Sequence, residues 1–336
     1  MQADRRRHLR GLAVAGTGIL ILSPDGLIVR LLTDTDALQL AFWRGLFLGL
    51  ALAILLAVLN RGRIAAAFRA AGRPVILSAV LLTGTMIGFC TAITHTSVAN
   101  TVLILATMPL FAAAIGRVVL GERVAPRTIA AIAVGLVGVG IVFAGSADRL
   151  TLPEGEVTVA LLAGGSLEGD LYALATAILH GIHLVLLRKV GDRIILPGLC
   201  ASGFLGAALL APFAEPLAVP ARDMGLLVFS GGLQLPLAMT LFFLGTRDTP
   251  AAEVALMSLL ETVLGPIWAW MGVGEVPTTT SLIGGGFIVG AIVINTALGL
   301  GGRRAGIAPA AAAASGSGAP DGFSRPAAPR RAQGPP

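Results

Sequence analysis

The chain has 336 residues, of which 55% are hydrophobic and 12% charged, with a formal net charge of +6. Soluble domains carry about 25% charged residues, so a water-soluble globule is excluded as the main body of the molecule. The basic residues sit in short stretches between apolar runs rather than in one patch, which gives nucleic acid no footing.

From Gly11 to about residue 299, uninterrupted apolar runs recur along the chain, each close to the ~20 residues a helix needs to cross the hydrocarbon core. A membrane barrel would instead show alternating segments of about ten residues. The chain therefore reads as an all-α integral membrane protein, with the lipid bilayer as its main partner. The opening MQADRRRHLR followed by GLAVAGTGILIL has the charge and apolarity of a signal peptide. The run continues through SPDGLIVRLL with no clear cleavage site, which favours a retained first helix. Ten transmembrane helices are expected, at about 11–32, 37–59, 74–94, 97–119, 127–146, 169–188, 194–214, 223–245, 250–272 and 278–299. Cys90 and Cys200 fall inside these spans and imply neither a disulfide framework nor a thiolate metal site. From Gly301 the composition turns to Ala, Pro, Gly and Arg with no apolar period, as in a disordered tail.

Arginine and lysine set the orientation. The joins that follow odd-numbered spans hold only Arg149 and Arg222. The joins that follow even-numbered spans hold Arg61, Arg63, Arg69 and Arg73, then Arg123 and Arg127, then Lys189 and Arg193, then Arg247. The N-terminus adds Arg5, Arg6, Arg7 and Arg10. Positive loops stay in the cytoplasm, so both termini are expected in the cytosol of a multi-pass protein of the cytoplasmic membrane.

Self-comparison gives a second layer of organisation. VANTVLILATMPLFAAAIGRVVLGE, 98–122, aligns without a gap with AAEVALMSLLETVLGPIWAWMGVGE, 251–275, bringing Gly121-Glu122 onto Gly274-Glu275. The first copy runs on into RVAPR, the second into VPTTT, and that loss of basic residues is what opposite orientations require. GLAVAGTGILILSPDGLIVR, 11–30, aligns with GDLYALATAILHGIHLVLLR, 169–188, setting Asp25 opposite His183 and Arg30 opposite Arg188. Five spans per half force the second half to invert, and inverted repeats with a midplane site typify secondary transporters. The expected layout is a cytosolic N-terminus 1–10, repeat one 11–146, an external linker 147–168, repeat two 169–299 and a cytosolic tail 300–336.

The stretches MPLFAAAIGRVVLGERVAPRTIAAIAVGLVGVGIVF and LETVLGPIWAWMGVGEVPTTTSLIGGGFIVGAIVI carry a resemblance over about residues 11–299. With the order of spans, the chain resembles the EamA branch of the drug/metabolite transporter superfamily. The resemblance implies two EamA repeats around a central cavity and movement of a small metabolite in or out, with no one substrate fixed.

Charged groups inside a membrane cost about 2.5–3.5 kcal/mol each on insertion scales, so each needs a partner or a wet cavity. Asp25 and Arg44 each lie about seven residues from the outer ends of spans one and two, a shared depth of roughly 10 Å that permits an ion pair. His180 and His183 share a face of span six, and Glu261 lies near the middle of span nine. On one reading Asp25, Arg44, His180, His183 and Glu261 line the substrate cavity, with Glu261 or a histidine carrying a proton. On the other, Asp25 and Arg44 are a structural pair, Glu261 a protonated packing group and the histidines satisfied core residues. SPDG at 23–26 breaks span one, and Pro109 and Pro266 repeat the question in spans four and nine: exposed backbone for a ligand, or a plain kink. Glu122 and Glu275 suit helix-end hydrogen bonds, and Glu253 a helix dipole. Gly45 and Gly49, with Gly286 and Gly290, have GxxxG spacing, which suits close packing within the chain; a homodimer contact is the other use of such spacing.

The chain has no G-x-S-x-G, H-E-x-x-H or Walker A run, and His180/His183 lacks a third ligand nearby. No cofactor or metal is expected. The function read from sequence is a secondary transporter of a small metabolite, amino-acid-like or drug-like, with proton coupling or exchange; the alternative is an intramembrane enzyme or a channel-like facilitator. Reporter fusions after Asp148 and after Gly302 are expected to report opposite sides of the membrane, and the same side for both would sink the five-plus-five inversion.

Overall fold

The computed structural model describes residues 2–122, 124–147, 166–246 and 251–315, with side chains except at 2–8, 147, 246, 251–256, 258 and 299–315. Arg123, Asp148, Arg149 and most of the expected linker, Arg247, the side chains of Arg5, Arg6, Arg7 and Glu253, and residues 316–336 lie outside the described residues. All described regular structure is helical. Nine described helices are long and apolar enough to cross a membrane: Leu9–Arg30, Ala37–Leu59, Pro74–His95, Val98–Val119, Pro126–Ser146, Leu167–Val190, Asp192–Leu210, Ala221–Gly245 and Thr279–Leu298. A shorter apolar stretch, Leu259–Val273, belongs to helix Ala251–Val273, where the ninth span was expected. The spans keep their expected numbers below.

Met1–Ala297 packs as one compact unit. Leu298–Pro336 is a second, and its described part is the end of helix Thr279–Ser315. Regular structure was not expected there, but alanine is the strongest helix former and fills the run from Pro309 to Ser315.

Three spans are interrupted, each beside a proline. Pro24 has no N–H to give, so the helix Gln2–Leu22 stops and a short helix, Asp25–Arg30, restarts beyond it. Pro109 does the same in span four, dividing it into Val98–Leu105 and Met108–Val119. In span eight, a π turn at Ser230–Gln234 separates helices Ala221–Phe229 and Leu235–Thr246. Pro236 cannot bond the carbonyl of Gly232, and widening the turn accommodates the lost bond. Pro266, by contrast, sits inside one continuous helix, so the third expected break does not form there.

The inter-helix contacts are dominated by spans two with seven, three with six and one with eight, followed by four with six, three with seven, two with eight and one with nine. Exchanging the halves, one for six and so on, turns three–six into eight–one and four–six into nine–one, and leaves two–seven unchanged. Glycine sets the closeness of the two–seven crossing. A Cβ on Gly203 would lie 2.5 Å from the Gly45 carbonyl oxygen, and one on Gly45 3.0 Å from the Gly203 oxygen. Gly138 and Gly284 are equally reciprocal where span five meets span ten, at 2.6 Å each way. The GxxxG of span two therefore packs within the chain, whereas a Cβ on Gly286 or Gly290 would meet no described atom within 4 Å.

Candidate functional site

The break at Pro24 makes Asp25 the first residue of a new helix, and both its carboxylate oxygens accept from Nη2 of Arg44, at 2.9 and 2.8 Å. Asp25 is 4% exposed and Arg44 2%. The Phe89 ring lies 5.6 Å from Cζ of Arg44, a cation–π contact. The π turn of span eight closes the other flank, with Gly231 so near that a Cβ would come within 2.9 Å of the Arg44 Cα. One turn on, Gln234 donates through Nε2 to the Ile21 carbonyl at 3.0 Å, one of the acceptors left over where the first helix ends. Trp268 of span nine donates to Ser23 Oγ at 3.0 Å, on the same break. Glu261 lies seven residues before Trp268, hence on the same helix face, and within electrostatic reach of Asp25. It is half-buried and makes no hydrogen bond among the described residues.

This cluster leaves polar groups unpaired. Arg44 Nε and Nη1 are buried with no partner among the described residues, and so is Gln234 Oε1. A buried donor without an acceptor costs about 1–3 kcal/mol, more when it is charged.

The histidines stand apart from it. His183 Nε2 is 2.9 Å from Ser78 Oγ, and the His180 ring is 6.2 Å away, edge-on. Ser78 and Phe89 belong to one helix and lie eleven residues apart, which is roughly 16 Å along the axis. Asp25, Arg44 and Glu261 are thus brought together, and His180 with His183 is not. No group of three or more metal-ligating side chains occurs among the described residues.

A second set of polar contacts lies at the helix ends. Arg30 Nε pairs with Glu275 at 2.7 Å, Arg30 Nη2 donates to the Thr96 carbonyl, and Glu275 accepts from the Val98 N–H at 2.6 Å. Thr96 and Ser146 hydroxyls both donate to Asp170 at 2.6 Å, and Asn100 joins them at 3.1 Å. Ser281 donates to Asn100. Spans one, four, five, six, nine and ten are tied in one buried lattice. Gly169 permits it, because a Cβ there would stand 2.6 Å from the Thr96 nitrogen. Asp223 separately accepts from Thr33 N, Asp34 N and Thr35 Oγ1 at 3.0, 3.1 and 2.8 Å, fixing the first join to span eight.

A further charged pair, Arg188 Nη1 with Glu122 at 3.0 Å, has both side chains 40% exposed. The turns that present the two glutamates match. Gly121 and Gly274 have φ of +66° and +71°, and the N–H of Glu122 and Glu275 reaches back to Gly116 O and Ala269 O, at 3.4 Å in both cases. Glycine takes this left-handed position at no steric cost and so ends each helix with its glutamate folded back.

The model of the EamA-like transporter family matches residues 11–144 and again 167–297. The chain belongs to the EamA-like transporter family. No curated protein matches it in sequence. Among solved structures, one titled only "Crystal structure of protein" is 19% identical, covers 86% of this chain and 97% of that one, and superposes with a TM-score of 0.58, a likeness of fold. Within the two EamA segments the ion pairs cross: Arg30 of the first bonds Glu275 of the second, and Arg188 of the second bonds Glu122 of the first.

Sequence reasoning did not find Gln234, the Ser23–Trp268 bond or the Asp170 lattice. Gln234 had a signal in the Gly231, Gly232 and Pro236 that surround it, whereas hydroxyls and amides in apolar helices carry no spacing of their own.

Removing one partner of a buried ion pair strands the other, at a cost of about 3–5 kcal/mol. Arg44→Ala and Asp25→Ala are each expected to lower the melting temperature of this EamA protein. The paired change Asp25→Asn with Arg44→Gln is expected to restore folded yield but not transport. Transport restored by the pair, measured in proteoliposomes against folded protein by gel filtration, would make it a structural pair only.

Proposed function

We propose that this protein is a secondary transporter that moves a small metabolite across the cytoplasmic membrane by alternating access between two inversely oriented repeats. The observation that carries the reading is the pair of crossing ion pairs. Equivalent arginines and equivalent glutamates, one from each EamA segment, bond across the halves rather than within them. With the inversion, the two pairs lie at opposite faces. By the arginine distribution Glu275 follows span nine on the outer side and Glu122 follows span four on the cytosolic side.

The pairs are unequal. Glu275 is 2% exposed and embedded in the Asp170 lattice through Thr96, while Arg188 and Glu122 are solvent-accessible. A buried pair is costly to break, and an exposed one contributes only about 0–1 kcal/mol. The conformer is therefore closed outside and more loosely tied inside. Substrate occupies the centre, at the break in span one, against Arg44 and Glu261. Glu261 is the coupling carboxylate, taking a proton on one side and releasing it on the other. Met108, not an acid, stands at its repeat position, so the fold does not demand a carboxylate there.

Two measurements test this. Glu275→Gln is expected to slow substrate flux in proteoliposomes by about tenfold or more, the scale of a lost buried pair, and Glu122→Gln by less than about twofold; equal effects would remove the unequal gates. Glu261→Gln is expected to fold normally, lose gradient-driven accumulation and keep substrate exchange. Full accumulation by that variant would reject Glu261 as the coupling group.

A further inference from the structure

The three unpaired polar groups at the centre point to what is bound there. Arg44 spends a single nitrogen on Asp25, because both carboxylate oxygens contact Nη2. Nε and Nη1 carry three further N–H groups, all shielded and without an acceptor among the described residues. Gln234 presents the opposite need, since Nε2 is bonded to Ile21 and Oε1 has no donor among the described residues. Both residues border the break in span one: Arg44 bonds Asp25 just after it, and Gln234, three residues beyond the Gly231 that packs on the Arg44 backbone, bonds Ile21 just before it. The fold does not demand a guanidinium there. Extending the repeat register of spans one and six to spans two and seven sets Ser202 opposite Arg44, and Ser202 is satisfied within its own helix by the Leu199 carbonyl.

We propose that the bound molecule carries a carboxylate-type oxyanion that accepts from Arg44 Nη1, and an N–H or O–H donor that Gln234 Oε1 accepts. A cationic donor makes its strongest hydrogen bonds to an anionic acceptor. Asp25 holds the arginine charged and in place between substrates. Phe89 lies 5.6 Å from Cζ of Arg44 and keeps that side of the guanidinium apolar. The assignment deepens the transporter reading and rests on it for delivery, because the nitrogens are shielded here and an anion must enter as the halves move.

The test is thermal unfolding of the full-length purified protein with matched acids and amides: lactate and lactamide, nicotinate and nicotinamide, alanine and alaninamide. At least one acid is expected to stabilise at about tenfold lower concentration than its amide, the scale of one charge-assisted contact. Arg44→Lys keeps the charge opposite Asp25 but has no second nitrogen to offer an anion, and is expected to unfold near the wild-type temperature without the preference for the acid. Gln234→Leu is expected to weaken lactate and alanine, which place a donor beside the carboxylate, more than nicotinate. No acid outperforming its amide, or a preference surviving in Arg44→Lys, overturns the oxyanion site. Proteoliposome uptake separates the two readings. An acid that binds but never crosses would leave the site and sink the transporter, whereas flux of amides with no acid preference would leave the transporter and sink the site.

Discussion

A guanidinium held inside a bilayer must be neutralised where it stands, and the central architecture follows from how Asp25 does this for Arg44. An intact first helix would satisfy its own backbone around position 25. Pro24 interrupts it, and the carboxylate begins a new helix facing span two. The interruption leaves carbonyls without partners, which are expensive in hydrocarbon unless the protein supplies donors. Gln234 supplies one of them. It reaches Ile21 from a π turn that Gly231 and Pro236 make possible, so the irregularities of spans one and eight compensate each other. The bonds that stabilise the break also gather Ser23, Trp268 and Glu261 round it.

At the helix ends the controlling residue is the glycine before each glutamate. A left-handed residue ends the helix and turns the following carboxylate back along it, in the same way in both segments. The carboxylate is then available to an arginine from the other half. An ion pair within one half would not tie the two segments to each other. A pair between halves resists their separation, and its strength depends on whether water reaches it.

Hydropathy made the helical class legible, because spans of this length are a solvent constraint rather than a packing detail. Depth arithmetic made the Asp25–Arg44 pair legible, since consecutive antiparallel spans fix which residues share a level. The same arithmetic does not say which way a helix faces: it sets His183 with Asp25, whereas in the structure His183 bonds Ser78. Self-comparison set Arg30 opposite Arg188 and Glu122 opposite Glu275 but gave no hint that the members bond crosswise. That contact joins residues 245 apart in sequence, and no local pattern encodes it. The Asp170 lattice was hidden for a related reason: Thr96, Asn100, Ser146 and Ser281 are ordinary in apolar helices until they are folded round one carboxylate.

The two charged systems answer different demands. Asp25 and Arg44 belong to the same EamA segment and to consecutive spans, so rigid movement of one half against the other leaves their bond intact. The Arg30–Glu275 and Arg188–Glu122 pairs join opposite segments, so the movement proposed above would stretch one of them. In the alternating access proposed above, a cost confined to the ends would let the two faces exchange roles while Arg44 stays neutralised throughout. The same proposal accounts for an arginine without a repeat-related twin. One charge between the halves would serve both orientations, whereas each face would need a gate of its own, and it is the Arg30–Glu275 and Arg188–Glu122 pairs that occur twice.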